Sequence, residues 1–436
     1  MVDTPNVAII GAGYAGMAAA VSLAGRGIPV TVFESARQLG GRARGLMHKN
    51  TRLDNGQHLL LGCYRKTLEM IATVGGDIDS DFMRLPLQLD LHGHFEMRAP
   101  KLPAPLHLIA ALLRARGLSW AERTSAARLM LALRGMNFRL QTDTTVDKLL
   151  ASHGQSALLV RKLWEPLCIA ALNTPVEKAS AQVLLNVLRD ALNRQRCDSD
   201  MLLPRIDFTE LFPKRAADYV KRRGGHVLTS CGVESVEALE HGYEISTRRG
   251  TLYFTHVVCA LPPTQAARML RAIDGLAPVA SAIDALEHQP IYTLYLQYPE
   301  RIGLPHPMLG LYRRCSQWLF DKGQISGQHG LIASVISAEG LHQEISQVQL
   351  AERVIAELAE EFGFTDRPLW FRVIAEKRAT FACTPDLERP EQQTAHPRLL
   401  LAGDYTKGEY PATLEGAVQS GLICADLIAS MHPNCA

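Results

Sequence analysis

The run Val7-Ala-Ile-Ile-Gly11-Ala-Gly13-Tyr-Ala-Gly16, followed by Val30-Thr-Val-Phe33 and Glu34, constrains this chain more than any other stretch. Four apolar residues predict a buried parallel strand, and the glycines break it. The small residues Ala15, Ala18, Ala19 and Ala20 then predict a helix that can pack closely on a sheet. In such a strand–turn–helix unit each glycine has its own reason. Gly11 permits the tight turn, Gly13 lets a pyrophosphate approach the backbone, and Gly16 lets the helix lie against the strand. Tyr14 and Ala15 open that helix, whose free N–H groups and dipole favour phosphate. Glu34, with Ser35 beside it, ends the second strand where a carboxylate can accept hydrogen bonds from an adenosine ribose. A dinucleotide-binding α/β fold follows from these residues.

The remaining bulk properties set bounds. At 436 residues the chain exceeds one ordinary core and predicts two domains. A formal net charge of +2 provides no global pull toward nucleic acid. The nine cysteines form no CxxC pair and no cluster at metal spacing, so neither a metal site nor a disulfide framework is expected, and they suit a reducing cytosol. The N-terminus lacks the apolar core of a signal peptide, and no apolar run approaches the roughly 20 residues of a spanning helix. A cytoplasmic protein is expected, soluble or peripheral on the inner face of the cell membrane.

A second glycine pair, Gly40-Gly41-Arg42, comes soon after Glu34. It adds backbone amides and a guanidinium at the same pyrophosphate, which a plain NAD-binding unit does not need. Here the chain resembles the large flavoprotein family that contains amine oxidases, protoporphyrinogen oxidases and carotenoid desaturases. The polar cluster Asp54-Asn55-Gly56-Gln57-His58, placed just before an apolar run, suits a loop that touches a ligand. The resemblance implies that this loop lies beside the flavin ring. It also implies that Val233 offers its backbone to the adenine, and that Asp404, after Gly403, meets the phosphate–ribityl portion of FAD. Near the C-terminus a helix opens at Pro411, so Ala412, Thr413, Leu414 and Ala417 are expected to bring free amides to the negative charge of a reduced flavin. Signatures at both ends of the chain favour FAD over NAD. His58 and Tyr410 are the candidate proton donors, although His58 reads equally well as a core histidine.

The expected architecture is therefore a discontinuous Rossmann-like FAD-binding domain of glutathione-reductase-2-like type, residues 1–85, 210–265 and 395–436. An α+β substrate domain would take residues 86–209 and 266–394. Within it, residues 101–140 carry apolar residues at helical spacing and seven cations against Glu122 alone. They suit either an anionic membrane surface or a solvated helical cap. Thr174, Pro175 and Glu177 form a capping-box pattern, predicting a helix through Val183, Leu184, Val187, Leu188 and Leu192. An acidic amphipathic helix with a solvated outer face is expected over 346–362. No role is assigned to Glu376–Phe381.

Leu172-Asn173-Thr174-Pro175 with the following ASAQ, together with DNGQHLLLG, resembles the bacterial squalene-associated branch of the family, the hydroxysqualene dehydroxylases of hopanoid synthesis. That branch implies a polyisoprenoid substrate, hydride transfer from reduced FAD, and reductive dehydroxylation of hydroxysqualene to squalene. Membrane and prenyl synthase partners are further implications. Two readings stay open beside it: a carotenoid or phytoene-type desaturase, and a non-catalytic FAD-binding partner of prenyl synthases. Amine oxidases often carry an aromatic residue where this chain has Thr413, which counts against an amine substrate.

Overall fold

The computed structural model describes residues 5–192 and 194–432. In chain order its main elements begin with β1 (Val7–Ile10), α1 (Tyr14–Gly25), β2 (Val30–Phe33) and α2 (Arg65–Thr73). Next come α3 (Leu106–Arg114), α4 (Trp120–Gly135), α5 (Glu165–Leu172), α6 (Ala181–Leu192) and β3 (His226–Leu228). The chain continues with β4 (His256–Cys259), β5 (His288–Gln297), β6 (Trp318–Asp321), α7 (Lys322–Ser326) and β7 (Leu331–Ser337). It closes with α8 (Gln347–Phe362), β8 (Trp370–Phe381), β9 (Leu399–Leu401) and α9 (Leu414–Met431).

A five-stranded parallel sheet in the order β3-β2-β1-β4-β9 holds both ends of the chain. Every residue of β1, β2, β4 and β9 is buried, which is why those runs are apolar apart from Thr31 and His256 and do not alternate. α1 and α9 cross over this sheet at Gly421, where any side chain would clash with the Ala15 carbonyl. The first helix and the last are thereby pinned to each other.

The second large sheet has seven strands, with β8-β5-β7-β6 as its consecutive core. Strand alternation gives β5 two different faces. Tyr292, Leu294 and Leu296 join Leu350, Val354 and Leu358 of α8 in one apolar core. Thr293 and Tyr295 point the other way, toward the turn after residue 54. α8 begins at the Ser346–Gln349 capping box and spans the expected residues. Its face is less simple than the sequence suggests: Glu357 turns inward and accepts from the Cys315 and Ser316 amides at 2.8 and 2.9 Å.

The helix expected from Thr174 and Pro175 starts instead at Ala181, with the Ser180 hydroxyl accepting from the Val183 amide. Tertiary partners have taken the capping groups. The Thr174 hydroxyl donates to Leu172 O and accepts from the Cys383 amide. Asn173, left-handed at φ 48°, donates to Pro290 O and Thr380 Oγ1 and accepts from the Ala338 amide at 2.7 Å. This four-residue motif is a clamp between α5 and the seven-stranded sheet. Among the described residues, no helix is long and apolar enough to cross a membrane.

Candidate functional site

β1 ends at Gly11, φ 109°, where a Cβ would sit 2.5 Å from the Ala260 carbonyl oxygen. Only glycine fits. The N-cap of α1 is Gly13, which has no side chain to satisfy the first-turn amides. A Cβ placed on Gly13 would meet nothing within 4 Å, so the space beside those amides is open. The second glycine turn lies against the first. Gly40 N donates to Ala12 O at 2.9 Å, and the Cβ direction of Gly41 points at Gly13 Cα, 3.3 Å away. Two amide-rich turns therefore border one open cradle, and that cradle fits a pyrophosphate.

The Glu34 carboxylate lies at one end of the cradle. Its Oε2 accepts from Ala12 N at 2.9 Å and its Oε1 from Ala36 N at 2.8 Å, so it braces the glycine turn from β2. The Cys231 amide donates to Glu34 O, which brings Val233 and the exposed Ser35 into the same region. Two segments distant in sequence thus meet beside the Glu34 carboxylate, where an adenosine would lie.

At the opposite end, α9 starts with Thr413 as its N-cap, the hydroxyl accepting from Gly416 N at 3.1 Å. Ala412, Leu414 and Ala417 are half-buried around that helix start. Glu415, fully buried, turns away to accept from the Lys66 and Thr67 amides, capping α2. Asp404 is buried and ion-paired with Arg42, whose other branch donates to Ala379 O at 2.7 Å. The guanidinium expected beside the pyrophosphate therefore also neutralises the aspartate expected beside the ribityl chain. This removes the repulsion an isolated Asp404 would exert on a phosphate. Arg389 donates to Asp404 O and Gly408 O and holds the segment leading to α9.

The Asp54–His58 turn is tied to the Arg42–Arg44 segment and to β5. Asn55 donates from its backbone to Arg44 O and from its side chain to Arg42 O. Gly56 adopts φ 142°, and Gln57 N donates to Thr293 Oγ1. Tyr295 Oη donates to Asp54 O, and Asp54 Oδ1 accepts from Phe208 N at 2.9 Å. Burial lifts the Asp54 carboxyl to about 7, against the opposing pull of Lys322. His58 rests on the Phe208 ring, and its Nδ1 lies 2.9 Å from Gly56 O. A carbonyl only accepts, so Nδ1 carries the proton. Burial holds the His58 pKa below the usual imidazole value, aided by Arg42 and opposed by the Gly56 bond. The ring is neutral at pH 7, with Nε2 unprotonated.

Tyr410 is buried elsewhere around the site. Its hydroxyl donates to Asp190 Oδ2 at 2.9 Å, and its ring packs edge-on against Tyr64. Burial raises its pKa, so it keeps its proton. Thr293, Lys322 and Arg389 drew no attention in the sequence. The first two reach the turn from β5 and α7, hundreds of residues away, and no local pattern marks them. The unassigned Glu376–Phe381 segment supplies Ala379 O to Arg42 and Thr380 Oγ1 to Asn173.

Residues 14–429 match the family described as flavin containing amine oxidoreductase. A protein named hydroxysqualene dehydroxylase from Rhodopseudomonas palustris is 30% identical over 97% of this chain and 98% of its own length. One of the same name from Zymomonas mobilis is 26% identical over the same shares. Among solved structures, cyclohexylamine oxidase from Brevibacterium oxydans shares the fold with a TM-score of 0.73 at 17% identity, covering 99% of this chain and 100% of that one. The open cradle between two glycine turns, the braced Glu34 and these whole-length matches lead to one conclusion: the chain belongs to the flavin containing amine oxidoreductases and is an FAD-dependent oxidoreductase.

Proposed function

We propose that this protein reduces hydroxysqualene to squalene, with FAD as its hydride source. The observation that carries this reading is the whole-length similarity to proteins named hydroxysqualene dehydroxylase. The site is consistent with it. Thr413 spends its hydroxyl on capping α9 and offers no aromatic wall for an amine. Held by the two glycine turns and Glu34, FAD in its reduced form would supply the hydride that takes the place of the departing hydroxyl. The balance is one hydride and one proton added, one water lost. The chain's own residues orient the polyisoprenoid, exclude water from the reacting carbon and assist the leaving hydroxyl. Of the two candidates for that assistance, His58 presents an unprotonated Nε2, whereas Tyr410 holds a proton at Oη. Tyr410 is therefore the candidate that holds a hydroxyl proton, which it shares with Asp190. Replacing Tyr410 with Phe would separate this role from its packing on Tyr64.

The test uses purified protein loaded with FAD, reduced anaerobically with dithionite and given hydroxysqualene, with products read by mass spectrometry. Squalene is the expected product. No turnover would overturn the reading. Extended conjugation from phytoene on the oxidised enzyme would establish a desaturase instead, and flavin binding without turnover of any isoprenoid would point to a non-catalytic partner of prenyl synthases. The same reading places the protein peripherally on a membrane through α3 and α4, because its substrate is a lipid.

A further inference from the structure

Lys322 is the first residue of α7, and only 5% of it is exposed. Lysine is seldom buried this deeply without a close carboxylate. An ammonium has three protons to place. Among the described residues, its one hydrogen-bond acceptor is Gln57 Oε1, at the long distance of 3.4 Å. The nearest acids, Asp54 and Asp207, act on it through space, and neither forms an ion pair with it. Asp207 is engaged by Arg52 and by the Thr209 and Glu210 amides, and Asp54 by the Phe208 amide. Among the described residues, no cap or ion pair of α7 uses the Lys322 ammonium. The helix start is capped by Asp321, which accepts from Gln324 N.

What the lysine does touch is the turn at the candidate flavin site. With Lys322 donating to Oε1, the Gln57 carboxamide has one orientation, its Nε2 donating to His58 O at 3.0 Å. The Gln57 amide is fixed in turn by Thr293. We propose that Lys322 is a positioning residue for the flavin: it orients Gln57 and keeps a positive charge behind the Gly56–Gln57 turn. The inference rests on reading that turn as flavin-facing. Two-electron, one-proton reduction leaves negative charge on a flavin, and a fixed cation nearby favours that reduced form. The reduced form is the one consumed by the proposed dehydroxylation.

The test compares wild type with Lys322→Met and with the double variant Lys322→Met/Asp54→Asn. Removing both charges of a buried set is tolerated better than removing one, so the double variant covers a folding failure of the single. FAD affinity is read by fluorescence on stripped protein, folding by circular dichroism, and the potential of the bound flavin by dithionite titration against a reference dye. Loss of a charged hydrogen bond to Gln57 should weaken FAD about tenfold in both variants. In Lys322→Met the potential should also move to a more negative value, a shift that a purely structural lysine would not cause. Wild-type FAD affinity in the folded double variant would overturn the proposal, and so would an unshifted potential in a folded Lys322→Met. Failure of the wild-type chain itself to bind FAD would overturn the flavin reading and this inference with it.

Discussion

The Glu34 carboxylate shows how one side chain can hold a turn and present a ligand group together. Its two oxygens meet the Ala12 and Ala36 amides, so Glu34→Ala should loosen the glycine turn as well as remove the ribose acceptor. The expected result is FAD retention weaker by roughly tenfold or more, read as flavin content after gel filtration. A second residue-scale prediction concerns the buried His256, which lies 2.9 Å from Thr255 Oγ1 and 3.4 Å from His432 Nε2. Burial, with His432 and Arg398 adding, pushes its pKa down to about 4. Unfolded, the ring titrates near 6.5. Between those values the unfolded chain binds the extra proton, so the neutral ring's contribution is complete above about 6.5 and is lost as pH falls toward 4. Relative to His256→Asn, the wild-type protein should lose roughly 3 kcal/mol over that window, measured by urea unfolding at each pH. Residues of the first kind were legible in the sequence because a local glycine pattern marks them. Thr293, Lys322 and Arg389 were not, because their partners come from other segments of the chain.

At the scale of elements, the Asn173 clamp carries more than the motif containing it suggested. One side chain joins the end of α5 to β5, β8 and the residue after β7. Asn173→Ala would leave buried backbone groups without partners and place alanine at φ 48°. The cost should be about 3 kcal/mol or more in chemical denaturation. The Thr174–Pro175–Glu177 pattern is a fair local signal for a helix start. It lost to tertiary competition, since the hydroxyl that would cap the helix is bonded to Leu172 O and Cys383 N. α8 shows the opposite outcome. Its capping box and apolar stripe are local, and among the described residues the Ser346 and Gln349 side chains bond only within that box.

At the scale of the molecule, we propose that segments 1–85, 210–265 and 395–436 act as one FAD-holding unit around the parallel sheet, with the rest as the substrate unit. α3 and α4 fall in that second unit. Leu106, Trp120, Leu131 and Met136 are exposed there, Leu106 by 54% and Trp120 by 65%. Arg114, Arg128, Arg134 and Arg139 are exposed on the same segment, with no ion-pair partner among the described residues. Apolar tips amid unpaired cations suit an anionic bilayer surface. The purified protein should float with vesicles containing phosphatidylglycerol and much less with phosphatidylcholine alone. Arg128→Glu combined with Arg134→Glu should abolish that flotation, and equal binding to both vesicle types would exclude a charge-led contact.

The β1–α1–β2 unit, its glycine turns and the position of Glu34 are written in the amino-acid sequence alone. These depend on residues that are neighbours in the chain, where turn geometry, burial and helix ends are set by short-range sterics and hydrogen bonding. Folding over long range is what pairs Arg42 with Asp404, holds Tyr410 on Asp190 and sets Lys322 behind Gln57. Each of those pairs joins side chains more than two hundred residues apart. A long-range partner is chosen by which buried polar groups the folded chain leaves facing one another, and no local pattern encodes that choice.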